Sequence, residues 1–124
     1  MQRSDAVQFA ESWIDAWNRR DIERVLAMYA DDLSFTSPMA FEVMGHPTVV
    51  GKSALRDYWQ KALARINDLR FALDRIIWDE EARELGIVYT RHVHGNSKRV
   101  LETFRFDAED HVVTSEVLHG NVPS

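Results

Sequence analysis

The chain has 124 residues, 45% of them hydrophobic and 28% charged, with a net charge of -5 and no cysteine. That size and balance fit one domain around one real core, over residues 1–124. The acidic surplus argues against the basic face of a nucleic-acid binder, and the missing cysteines exclude disulfides, thiolate zinc sites and cysteine nucleophiles. No apolar run reaches the ~18 residues a membrane helix needs. Met1-Gln2-Arg3-Ser4-Asp5 lacks the layout of a signal peptide, so a cytoplasmic protein is expected.

Residues 5 to 18 read as an amphipathic helix: Ala6, Ala10, Trp13, Ile14 and Trp17 recur at three- and four-residue steps, and Ser4 or Asp5 can cap the start. Asp21 caps a second helix with the stripe Ile22, Val25, Leu26 and Tyr29, closed by Asp31-Asp32. Leu33 to Ser37 is a short strand stopped by Pro38, and residues 39 to 51 form a loop with Gly45, Pro47 and Gly51. A third helix carries Leu55, Tyr58, Trp59, Ala62, Leu63 and Ile66 on one stripe. Four strands follow, over 70–78, 85–94, 99–106 and 112–119, with a hairpin signal at Gly95-Asn96-Ser97. Helices first and an antiparallel meander after point to α+β, with helices packed on one face of a curved sheet.

Strand alternation sorts the side chains. Val100, Glu102, Phe104 and Phe106 share the more apolar face of their strand, which places Glu102 inside. Ser115, Val117 and His119 share a face of the last strand, and Leu33, Phe35 and Ser37 share one on the first. The strand before depends on the hairpin. A two- or four-residue turn puts Tyr89 and Arg91 on the side of Glu102; a three-residue turn puts Thr90 and His92 there. Two-residue loops are the commonest, which favours a Tyr89–Glu102 or Arg91–Glu102 contact. A carboxyl in apolar surroundings holds its proton to higher pH, so Glu102 can act as an acid, and His119 is a candidate base near neutral pH. Trp13, Trp17, Tyr58 and Trp59 are more large polar-tipped rings than a core this small needs, and they suit the wall of an apolar pocket.

The element order resembles the NTF2-like superfamily, in its SnoaL-like and ketosteroid-isomerase-like branches. The local residues agree: Asp21-Ile22-Glu23 leading to Met28-Tyr29-Ala30-Asp31-Asp32, then Ser37-Pro38, then Val50-Gly51-Lys52. Val100-Leu101-Glu102-Thr103-Phe104-Arg105-Phe106-Asp107, running on to Val117-Leu118-His119-Gly120, is similar to that family's last two strands. The resemblance implies a cone: a strongly curved sheet closed by three helices around a pocket. It implies Ser37 where the isomerases hold their general-base aspartate, Trp13 where they hold a tyrosine donor, and Glu102 where they hold a protonated aspartate. With the base missing, classical steroid isomerisation is not expected.

The expected function is therefore binding of a small apolar or aromatic ligand, with acid–base chemistry such as isomerisation, cyclisation or dehydration. Glu102, His119 and Trp13 are the catalytic candidates. Trp17, Phe35, Ser37, Tyr58, Trp59, Tyr89, Arg91, Phe104 and Val117 are the binding candidates. No metal or cofactor is implied. The family commonly pairs through its open sheet face, and the outward set Leu101, Thr103, Val112, Thr114 and Leu118 agrees with a homodimer. Two other readings stand beside this one: a non-catalytic assembly module, which requires a filled interior, and an epoxide-hydrolase-like enzyme, which requires two carboxylates flanking an arginine.

Overall fold

The computed structural model describes residues 1–123. Helix α1 spans Arg3–Asn18, two residues earlier than the stripe suggests. Gln2 is its cap, and Asp5 turns back to accept the Gln2 N–H at 2.8 Å. Ala6, Ala10, Trp13, Ile14 and Trp17 are all buried, as their spacing requires. At its end the Asn18 side chain donates to the Phe71 carbonyl at 2.9 Å and accepts the Phe71 N–H at 2.7 Å, which clamps the helix to the sheet edge.

Helix α2 is short, Ile22–Leu26, and Asp21 caps it by accepting the Arg24 N–H at 3.1 Å. Tyr29 is not on its stripe. The chain leaves the helix at Ala27, and Tyr29 opens strand β1, Tyr29–Thr36, which also takes in Asp31 and Asp32 as exposed strand residues. The helical spacing of 22, 25, 26 and 29 is thus met by two elements that bury the same side.

The expected loop after Pro38 holds helix α3, Pro38–Met44, and strand β2, Thr48–Val50, making four helices and six strands among the described residues. Pro38 stops β1 and also starts α3, because its fixed φ and missing N–H suit the first helical turn. Ser37 caps it, accepting the Met39 N–H at 3.2 Å, and Gly45 closes it at φ 83°, a left-handed position that favours glycine. Helix α4, Lys52–Ala64, buries Leu55, Tyr58, Trp59 and Ala62.

Strands β3 (Leu69–Asp79), β4 (Glu84–Val93), β5 (Asn96–Phe106) and β6 (Val112–His119) form the meander. The sheet order is β2-β1-β6-β5-β4-β3, antiparallel except where β1 runs parallel to β6. One face packs on the helices and holds the core. Among the described residues no helix is long and apolar enough to cross a membrane.

Two irregularities decide which side chains point inward. Between β4 and β5 the turn is His94-Gly95, with Val93 paired to Asn96. Both turn residues have positive φ, 51° and 78°, as a two-residue primed turn requires. This pairs Tyr89 with Val100 and Ile87 with Glu102, so Tyr89 and Arg91 share the inward face, and His92 turns away to Ser97. Between β5 and β6 the register shifts at Arg105/Phe106, and this bulge turns Val112 inward, where it is fully buried. Val112 therefore belongs to the core and not to the outward set. That outer face holds Leu101, Thr103 and Thr114 partly covered, with Ile77 and Leu118 exposed.

Candidate functional site

Strands β4, β5 and β6 set Tyr89, Glu102 and Ser115 side by side on the inward face. Tyr89 donates its hydroxyl hydrogen to Glu102 Oε1 at 3.1 Å, and Ser115 donates to Oε2 at 3.3 Å. Tyr29, whose hydroxyl accepts the Trp13 Nε1–H at 3.2 Å, stands close to Ser115 and Glu102. An indole on α1, a phenol on β1, a hydroxyl on β6 and the carboxyl on β5 are thus gathered in one buried cluster. Glu102 is 3% exposed. Burial pushes its pKa up to about 8, against the two hydrogen bonds, which favour the ionised form. Burial and the nearby Glu102 likewise push Tyr29 and Tyr89 well above the usual phenol range.

Beside this carboxyl the interior is open. A cavity of about 90 Å³ lies between the sheet and helices α1, α3 and α4. Trp13 and Trp17 reach it from α1, Phe35 from β1, Ser37 from the cap of α3, and Tyr58 and Trp59 from α4. Tyr89, Arg91, Val100, Glu102, Val117 and His119 complete the sheet side, and Phe71 stacks against Trp13 and Tyr89. The interior is thus not the filled one an assembly module requires. Glu102 is the one carboxylate in this lining. Asp74 sits at a bulge in β3, paired with Arg99 and Arg75, so the second acid of an epoxide-hydrolase-like set is missing.

Eleven of the twelve residues singled out from the sequence therefore border one space. Phe104 does not. It is fully buried among Phe9 and Trp13, away from the cavity. Trp13 borders it, but its N–H, expected to meet a ligand oxygen, is given to Tyr29. Trp17 and Trp78 each bury an Nε1 with no hydrogen-bond partner among the described residues, and of the two Trp17 borders the cavity. Ser37 spends its oxygen on capping α3, and it lies close to Tyr58, whose hydroxyl burial pushes up to about 12. Arg91 makes no ion pair with Glu102; Tyr89 supplies the contact. His119 stands exposed at the rim, and burial of its ring together with the nearby Lys98 and Arg91 lowers its pKa.

The spacing of Tyr29 also fits the stripe of α2, and this hides its hydroxyl as the partner of Trp13. Ser115 was placed on the correct face without a role, although a hydroxyl beside a buried carboxyl on a paired strand is the signal that marks it.

A curved, mostly antiparallel sheet wrapped on helices around such a cavity is the NTF2-like, or cystatin-like, fold. The chain belongs to the SnoaL-like domain family, whose model matches residues 10–116. It is similar to a SnoaL-like protein of unknown function from Burkholderia thailandensis, at 30% identity over 97% of this chain and 98% of that one, with a TM-score of 0.88. An NTF2-like protein of unknown function from Burkholderia pseudomallei shares 25% identity over 97% and 92%, with a TM-score of 0.80. TerC, co-crystallised with polyporic acid, shares the fold at 14% identity over 93% and 91%, with a TM-score of 0.78. No curated protein is similar enough to count as a match.

Proposed function

We propose that the chain binds a small apolar or aromatic molecule in this cavity and acts on it through Glu102 as a neutral acid, in chemistry of the isomerisation, cyclisation or dehydration kind. One observation carries the reading: a carboxyl in the wall of an otherwise apolar cavity, held by two hydroxyls, with its pKa pushed up to about 8. At pH 7 such a group keeps its proton. A neutral carboxyl can donate to a carbonyl or enol oxygen, and that bond strengthens as negative charge develops on the oxygen. His119, whose lowered pKa favours the neutral imidazole, is the group that can take a proton in exchange. Val100 pairs with His119 and Glu102 with Val117, so the two groups stand one step apart on the inward face, roughly 7 Å along the strand. The polyporic acid bound to TerC, a fold relative, supports an aromatic occupant here.

The test is a titration with 2-naphthol and naphthalene, following tryptophan fluorescence, in wild type and Glu102→Gln. Trp13, Trp17 and Trp59 border the cavity, so saturable quenching is expected. The variant should bind naphthol about tenfold more weakly and naphthalene unchanged. No saturable quenching with either compound would defeat the reading, and equal naphthol affinity in the two proteins would remove Glu102 from it.

The apolar outer face supports a homodimer: Ile77 and Leu118 are exposed there beside Leu101. Light scattering that returns a monomer at micromolar concentration would remove it.

A further inference from the structure

We infer that the ligand carries a carboxylate, and that Arg91 and Lys98 hold this group at the cavity rim while the aromatic body reaches inward toward Glu102. The inference rests on the cavity being a binding site.

Arg91 borders an apolar cavity, yet it has no salt bridge and no side-chain hydrogen bond among the described residues. Other arginines of the chain differ: Arg56 is tied to Glu23, Arg83 to Asp110 and Arg99 to Asp74. A guanidinium stays charged throughout the working pH range, and a half-buried one without a partner is held at a cost in lost hydration. Glu102 does not offset that cost. It is bonded to Tyr89 and Ser115, and Tyr89 stands between it and Arg91 on the same face.

The strand register adds a second cation. Arg91 pairs with Lys98 across the β4–β5 ladder, and Lys98 Nζ lies 3.5 Å from His119 Nδ1. Arg91 and His119 border the cavity at this end, and Lys98 stands beside them at the rim. The acid that acts on this region is Glu42 of α3, which is exposed and makes no salt bridge with either cation. Two cations against one carboxylate make a local positive spot on a chain of net charge -5.

From this rim the inward face runs through Tyr89 and Val100 to Glu102, four residues beyond Lys98, roughly 13 Å along the strand. The two ends differ in kind: a cationic fork that matches a carboxylate, and a carboxyl that donates to a neutral oxygen. Between them stand Trp17, Phe71 and Trp59, which offer ring faces. A single or fused aromatic ring with a carboxylate at one end and a carbonyl or hydroxyl oxygen at the other satisfies both ends, and the ring with its carboxylate alone satisfies the rim.

The test uses matched acid and amide pairs: benzoate with benzamide, trans-cinnamate with cinnamamide, and 2-naphthoate with 2-naphthamide. Each is titrated calorimetrically into the full chain at pH 7 and low salt. In the wild type the acid of a pair should bind about tenfold tighter than its amide, and added salt should narrow the ratio. Arg91→Gln should bring the ratio near one, and Arg91→Lys should keep part of it. An amide that binds as tightly as its acid in the wild type overturns the inference and leaves the cavity reading standing. So does a ratio that survives Arg91→Gln. No binding by any member of the series overturns both. The decisive ratio is read in the wild type, so a variant that fails to fold cannot mimic it.

Discussion

Along β5 one inward face serves two different interiors. Towards its end, Phe104 and Phe106 meet Phe9, Trp13 and Trp78 edge to face and leave no space. Nearer its start, Val100 and Glu102 are as well shielded from water, yet they border the cavity. Strand, register and burial are shared; the size of the side chains and of what faces them is not. Low exposure therefore does not distinguish a packed core from the wall of a pocket. What distinguishes them is what lies beside the side chains: rings in edge-to-face contact at one end, open space at the other.

The comparison is sharpened most by truncation. Phe104→Ala should cost about 3–5 kcal/mol, because it opens a new hole in packed structure. Val100→Ala only enlarges an existing one and should cost about 1–2 kcal/mol. Urea melts of the two variants measure the difference, and equal losses would erase the distinction between the two ends.

The next effect is electrostatic. Folding raises the pKa of Glu102 from the ordinary 4.5 to about 8. Between those values the unfolded chain has released the proton that the folded chain keeps, so stability falls as pH rises, on the order of 1 kcal/mol per pH unit, and levels off above the folded pKa. Glu102→Gln removes that slope, because an amide does not titrate. His119 runs the other way: its pKa is lowered on folding, so it adds stability as pH rises towards its ordinary 6.5. The curve for the variant minus the wild type cancels His119 and should climb from about pH 4.5 to 8. A flat difference would mean that Glu102 is ionised when folded.

The smallest expected effect separates two neighbouring indoles. Trp13→Phe removes the donor to Tyr29 and should cost about 1–2 kcal/mol, whereas Trp17→Phe removes an N–H that had no acceptor and should cost less than that. Thermal melts without ligand give the order, and a reversal would mean that Trp17 has a partner in solution.

Much of this was readable in the residues. The stripes of α1 and α4 and the alternation of β5 identified most of the cavity wall, because period and burial agree wherever an element is regular. Errors cluster where it is not. Tyr29 satisfies a helical stripe and a strand position equally, and only the capping at Ala27 decides between them. Helix α3 has a serine cap, a proline in its first turn and a closing glycine, but Pro38 also ends a strand, and seven residues are too few for a period to show. Val112 turns inward at a bulge that no alternation predicts. The Trp13 hydrogen bond depends on Tyr29, so missing the one meant misreading the other.

The two-residue turn at His94-Gly95 has a reach far beyond its own position. Closing the same residues through a three-residue turn would shift the pairing by one place, so that Thr90 and His92 would stand where Tyr89 and Arg91 stand on the cavity wall. The carboxyl of Glu102 would lose its phenol, and the rim its guanidinium, with neither residue mutated. In a lineage built on this scaffold, a change of chemistry can therefore start at a surface turn, and a comparison confined to the cavity residues would not register it.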